Sequence, residues 1–296
     1  MAALPALRCI GTTRALLGEG PVWVAAEQAL YWVDIKGRRL HRYDPASGPV
    51  GGGEASWPTP LRIGAVAPRA GGGLVGASEH GFVLIDAAMT RFDRLADPEA
   101  ALPGNRFNDG KVDRAGRFWA GTMDDAEEAA TGSLYRLDAD GRWSRHDTGY
   151  RVPNGPALSP DGRWMYHTDS AARTIWRFAV DDDGSLSART RLAHFRQQDG
   201  FPDGMTVDAQ GCLWVAFWDG WCLRRLSPQG ECVATLELPV QRPTSCAFGG
   251  AALDRLFVTS ARVGLDAAAL AAQPLAGGLF ELRPGVSGLA ELPFAG

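Results

Sequence analysis

The sequence predicts an all-β protein, a six-bladed β-propeller with a metal in its central channel, and a repeated phrase is the main reason. In Phe201 to Trp218, the polar group Pro202-Asp203-Gly204 precedes an alternating run. The turn Asp208-Ala-Gln-Gly211 and an apolar run from Leu213 to Phe217 follow. Period-two alternation around turn residues reads as a β-hairpin. The phrase recurs at Gly18-Glu19-Gly20-Pro21, Phe107-Asn108-Asp109-Gly110 and Val152-Pro153-Asn154-Gly155, with weaker copies at Ile63-Gly64 and Thr244-Ser245. Anchored at residues 19, 64, 108, 154, 203 and 245, the copies stand 45, 44, 46, 49 and 42 residues apart. Strand-rich periods of roughly 40–50 residues mark propeller blades, about four strands to each.

In chain order, Leu7 to Leu16 is a strand candidate that precedes the first anchor and belongs to no blade before it. A closed ring leaves no free edge, so this strand is expected to complete the last blade. The competing closure uses Gly288 to Phe294. Repeat one runs through Leu30 to Ile35 and Arg39 to Tyr43. Its Gly51-Gly52-Gly53 is a loop, because no Lys-Ser/Thr or helix follows to make a phosphate cradle. Repeat three carries the richest phrase, then a charged run, Asp124-Asp125-Ala-Glu127-Glu128, expected as a loop at the blade end, either solvated or lid-like. Repeat four ends a strand at Tyr166-His167-Thr168-Asp169, and repeat six holds a helix-like patch at Leu265 to Ala272. The repeat runs without a break, so residues 1–296 are expected to form one domain.

Composition narrows the function classes. Hydrophobic residues make up 45% and charged residues 22%, and the net charge is −4 with Lys and Arg scattered. That argues against nucleic acid, which needs a clustered basic face. No run of 18 apolar residues exists to span a membrane. Arg8 and Arg14 interrupt any apolar stretch near the start, so no signal peptide is expected. Five cysteines without a CxxC pair read as free thiols of a reducing cytoplasm. The ten tryptophans read mostly as filler between blades.

The innermost strand of each blade lines the channel, so residues at one repeat phase lie at one height around the axis. The phase-matched set is Glu19, Gly64, Asn108, Asn154, Asp203 and Thr244 or Ser245. Glu19, Asn154 and Asp203 would bring two carboxylates and an amide oxygen together. Two converging like charges repel, and a divalent cation offsets that repulsion. Oxygen donors suit calcium, magnesium or manganese and tolerate iron(II) or zinc. Three protein ligands leave positions for water or substrate, as in catalytic sites. The alternative is that Asp and Asn stand beside Gly only as turn formers. Asp34 and Asp169, one strand out, read as turn and loop stabilisers. Asp109 reads as orienting Asn108 or the backbone, with direct metal binding the alternative, Arg62 as solvated or else reaching the channel, and His167 as either a structural hydrogen-bonding residue or a substrate contact.

The motifs Arg106-Phe107-Asn108-Asp109-Gly110-Lys111-Val112-Asp113 with Gly121-Thr122-Met123, Gly18-Glu19-Gly20-Pro21, Pro153-Asn154-Gly155 and Pro202-Asp203-Gly204-Met205 carry a resemblance over nearly the whole chain. It resembles the senescence marker protein (regucalcin)/gluconolactonase family. The resemblance implies a six-bladed propeller, one divalent metal in the channel and hydrolysis of sugar-acid lactones. It implies Glu19, Asn154 and Asp203 as metal ligands, Asp203 also as general base, and Arg106 and Asn108 as substrate contacts. The family's further substrate-contacting glutamate lies a few residues beyond Gly-Thr-Met, where this chain has Asp124, Asp125 and Ala126, with Glu127 and Glu128 displaced. Glu127 is the candidate.

The expected activity is therefore a metal-dependent lactonase acting on a small-molecule aldono-lactone, as a monomer or small homo-oligomer. The alternatives are another hydrolase on the same scaffold, for organophosphates or aromatic lactones, and a calcium-binding propeller without activity.

Overall fold

The computed structural model describes residues 7–47 and 53–296. The strands of these residues form six sheets of four antiparallel strands each, the expected propeller. The inner strands are Gly18–Val24, Ile63–Pro68, Asn105–Val112, Pro153–Leu158, Phe201–Val207 and Pro243–Gly249. Each begins at one face of the ring, the mouth of the channel. Each ends in a hairpin turn at the other face, the foot. The first two residues of the Gly51-Gly52-Gly53 loop and the first six residues of the chain lie outside the described residues.

Closure follows the expected route, though with a shorter strand. Only Arg8–Ile10 of the Leu7-to-Leu16 segment is a strand. It pairs with Leu279–Leu282, and so becomes the outermost strand of blade six. The Gly288-to-Phe294 segment, the rival closure, joins no blade. It crosses the foot instead, bridging Asp208 through Gly288 and Arg69 through Phe294. Phe294 is buried in the core between blades two and three, and its amide donates to the Pro68 carbonyl at 2.7 Å. The helix-like patch is a short helix, Ala267–Ala272, whose N-cap Asp266 accepts from the Ala269 amide.

The hairpin turns at the foot are held by carboxylates. Asp113 accepts from the Trp119 indole at 2.8 Å and from Arg117 Nε at 2.6 Å. Asp208 does the same for Trp214 at 3.0 Å and Arg225 Nε at 2.8 Å. A buried carboxylate with several charge-assisted donors is fully satisfied, and it locks the second strand of the blade to the turn. Tryptophan does fill blade cores at Trp32 and Trp119, but Trp143, Trp164 and Trp221 are exposed. The five cysteines are free. Cys212, Cys222 and Cys246 are buried, Cys9 is partly buried and Cys232 is exposed.

Candidate active site

The polar phrases are not turns ahead of the strands, as their composition suggested, but irregularities inside them. All six inner strands slip register against their neighbours. The slips fall between Glu19 and Val22, Ile63 and Ala65, Phe107 and Gly110, Asn154 and Ala157, Pro202 and Met205, and Pro243 and Ser245. A β-bulge of this kind re-aims a side chain that the pleat would otherwise turn into the sheet. The repeat phase read from the sequence is therefore the phase of the bulges. Glycine beside an anchor allows the inner strands to approach closely. A Cβ at Gly204 would meet the Ser245 side chain, and one at Gly64 would meet the Asn108 carbonyl oxygen.

Glu19, Asn108, Asn154 and Asp203 are all buried and line one cavity of about 570 Å³ at the mouth. The two weak anchors have structural work. Gly64 permits the approach just described, and Thr244 donates through Oγ1 to the Gly18 carbonyl, tying blade six to blade one.

A hydrogen-bonded chain sets the site. Asn154 Nδ2 donates to Ser170 Oγ at 2.9 Å, and Ser170 Oγ donates to the Pro202 carbonyl at 2.6 Å. Asn108 Nδ2 donates to the Pro153 carbonyl at 2.8 Å and to Asn154 Oδ1 at 3.2 Å. Arg106 Nη1 donates to Asn108 Oδ1 at 2.9 Å, and its Nε donates to Asp125 Oδ1 at 2.7 Å. Asp125 also accepts from Arg62 Nη1 at 2.7 Å and lies 3.7 Å from Lys36 Nζ. Burial pushes the Asp125 carboxyl up, but the bonds from Arg62 and Arg106 outweigh it and hold the group down at about 2.

The carboxylates at the cavity floor are in the opposite condition. Glu19 accepts the Gly20 amide at 3.0 Å. Among the described residues neither Glu19 nor Asp203 forms an ion pair. Burial pushes the Glu19 carboxyl up, and the charge of Asp109 adds to it. Burial raises Asp203 well above the ordinary range, reinforced by the charges of Glu19 and Asp109. Asp109 turns away from the mouth, and its carboxylate accepts the Gly155 amide at 2.7 Å and the Gly110 amide at 2.8 Å. It orients backbone, one of the two roles anticipated for it. Two buried carboxylates without a cationic partner, beside an amide oxygen, form a hard-oxygen donor set that fits a divalent cation.

Other expected residues are placed less uniformly. Glu127 is on the cavity wall, in a loop where it adopts φ +60°. The charged run is an ordered wall, with Asp124 accepting the amides of Ala126, Glu128 and Ala129. His167 does not line the cavity. It is fully buried against Tyr150 in an edge-on arrangement, and burial depresses its imidazole to about 3. A side chain enclosed in the blade cannot touch a ligand at the mouth, and neither ring nitrogen has a hydrogen-bond partner among the described residues, so packing replaces both expected roles. Arg62, read as solvated or reaching the channel, is half-buried and bonded to Glu79 and Asp125. Asp34 and Asp169 are the stabilisers anticipated. Asp34 accepts the amides of Leu16, Leu17 and Gly37, and Asp169 faces those of Arg151, Val152 and Ala172.

Three basic wall residues, Lys36, Arg151 and Arg242, went unread in the sequence. A signal was available for two of them. Arg62, Arg106 and Arg242 stand two positions ahead of their anchors at 64, 108 and 244, and Arg151 stands three ahead of Asn154.

Known proteins resemble this chain in sequence and fold. The SMP-30/Gluconolactonase/LRE-like region profile matches residues 17–262. The 6-deoxy-6-sulfogluconolactonase of Pseudomonas putida is 41% identical, over 98% of this chain and 99% of its own. The pentonolactonase of Haloferax volcanii is 38% identical over 94% of both chains. The crystal structure of a calcium-binding protein, regucalcin, from Agrobacterium tumefaciens superposes with a TM-score of 0.92 at 32% identity, covering 98% of this chain and 97% of that one. With a profile spanning most of the length and relatives aligned nearly end to end, the chain belongs to the SMP-30/gluconolactonase/LRE-like family.

Proposed function

We propose that this protein is a metal-dependent lactonase that opens a sugar-derived aldono-lactone to the free aldonic acid. The observation that carries the reading is the floor of the cavity. Three blades deliver two buried, unpaired carboxylates and an amide oxygen to one open site, next to a guanidinium clamped in place. Relatives named as lactonases of a sulfogluconic and a pentonic acid support the substrate class.

Glu19, Asn154 and Asp203 would hold one divalent cation, which when bound polarises the lactone carbonyl as a Lewis acid. Asp203 is the general base. Its carboxylate lines the cavity beside Glu19 and Asn154, where it takes the proton of the attacking water. Water adds to the carbonyl carbon and the ring C–O bond breaks. The ring oxygen leaves as the alcohol, carrying the proton that Asp203 returns, and the acid ionises to the aldonate. Arg106 has committed Nε and Nη1 within the protein, which leaves Nη2 to donate to lactone oxygens. Asn108 lines the cavity, but its amide already joins Arg106 to Asn154, so it acts chiefly by positioning both. Glu127 faces the same space and can accept a sugar hydroxyl. Val152, Phe201 and Trp218 offer apolar surface to the carbon skeleton.

The test is acid release from a panel of aldono-lactones, after chelation and after each metal is restored, with spontaneous hydrolysis subtracted. Turnover should vanish on chelation and return with metal. In Asp203→Asn it should fall by roughly 10²–10⁴-fold, the usual range for loss of a general base. Turnover that survives chelation, or a near wild-type rate in Asp203→Asn, contradicts the reading.

A further inference from the structure

The arginines ahead of the anchors, Arg62, Arg106, Arg151 and Arg242, differ in one respect. Arg62 is bonded to Glu79 and Asp125, Arg106 to Asp125, and Arg242 to Asp219 at 2.7 Å and to the Val263 carbonyl. Each of these charges is compensated by a carboxylate. Arg151 is not. Its side chain makes no hydrogen bond or ion pair among the described residues, yet it is exposed on the cavity wall.

The loop that presents it is held firmly. The amides of Arg151 and Val152 face the Asp169 carboxylate at 3.4 Å, and the Ser170 amide donates to the Val152 carbonyl at 2.8 Å. A neutral sugar lactone needs hydroxyl partners, and Arg106, Glu127 and the floor supply them. It needs no free guanidinium. The cavity, at about 570 Å³, falls within the range of sites for sizeable ligands. A bare six-carbon lactone leaves part of it unfilled.

We propose that Arg151 selects the substrate by binding an anionic substituent, a sulfonate or phosphate, carried on a lactone carbon remote from the carbonyl. The proposal rests on the lactonase reading. A guanidinium offers such an oxyanion two parallel donors, whereas a lysine ammonium offers a point charge. The fixed distance between blade four's rim and the floor would then measure the chain between the anion and the reacting carbonyl.

The experiment compares glucono-1,5-lactone with its 6-phosphate and its 6-deoxy-6-sulfonate on the metal-restored wild type, Arg151→Gln and Arg151→Lys. Calorimetric binding of 6-phosphogluconate against gluconate supplies a second readout. In the wild type, kcat/KM for one of the anionic lactones should exceed that for the neutral one by about tenfold or more, expressed mainly in KM. The ratio should fall toward one in Arg151→Gln and recover partly in Arg151→Lys. The phosphate and sulfonate arms identify the anion. A wild-type ratio near one, or a preference that survives Arg151→Gln, overturns the proposal and leaves the lactonase reading standing. No turnover of any lactone overturns both.

Discussion

The two ends of the channel are built from the same strands and could hardly differ more. At the mouth, Glu19 and Asp203 are buried without a counter-ion, beside a cavity of about 570 Å³. At the foot, the inner strands and the C-terminal segment enclose small cavities of about 20 Å³, each with room for about one water. Its lysine and its turn aspartates are partnered. Lys111 Nζ meets Glu291 Oε1 at 2.8 Å, and Asp113 and Asp208 are each surrounded by donors. At the foot, the burial of Lys111, Asp113 and Asp208 is compensated, and the fold is stabilised there. The mouth leaves burial uncompensated, a cost that only a function explains.

The contrast can be broken most severely at the foot. Asp208→Ala strands the Arg225 guanidinium, the Trp214 indole and the Gln210 and Cys212 amides. Removing one partner of a buried pair costs about 3–5 kcal/mol. Chemical denaturation should show that loss, while kcat of the folded fraction stays near the wild-type value. A large fall in kcat with stability intact would mean that the two ends are not separate in function. Asp125→Ala acts at the mouth and should do the reverse. Freed from its carboxylate, Arg106 loses its orientation, and KM for an aldono-lactone should rise by about tenfold with a smaller change in kcat. An unchanged KM would remove Asp125 as the positioning residue.

Away from the channel lie neutral histidines, His41 and His167 buried and His146 partly buried. Burial depresses His41 and His146 to about 4 and His167 to about 3. The unfolded chain protonates these groups near about 6.5, where the folded chain does not. Stability should therefore decline progressively as pH falls from about 6.5 toward 4, read as melting temperature. His167→Leu, which removes two unpartnered ring nitrogens, should flatten that decline. An unaltered slope in the variant would place the acid sensitivity elsewhere.

How much of this was legible depended on whether the signal was periodic. Six repeats at similar intervals revealed the blades. They also revealed the phase at which Glu19, Asn108, Asn154 and Asp203 share a cavity. The bulges were not legible, because Asp-Gly and Asn-Gly have the same chemistry in a turn and in a bulged strand. Arg151 and Lys36 were missed since each lies on a loop between strands, where repeat phase drifts. Asp125 was hidden in a charged run, where only the third dimension shows a carboxylate folded back over Arg106. His167 misled because a strand-end histidine can face either the rim or the next blade, and one residue of alternation decides which.

The central claim is that the mouth's unpaired carboxylates exist to hold a metal. Its most direct test is metal binding itself, without turnover. Chelated wild type, Glu19→Ala, Asn154→Ala and the foot control Lys111→Met are titrated calorimetrically with calcium, manganese and zinc. One ion per chain should bind to the wild type and to Lys111→Met. Affinity should drop in Asn154→Ala and drop further in Glu19→Ala, which loses a charged ligand. Wild-type affinity in both mouth variants would contradict the account.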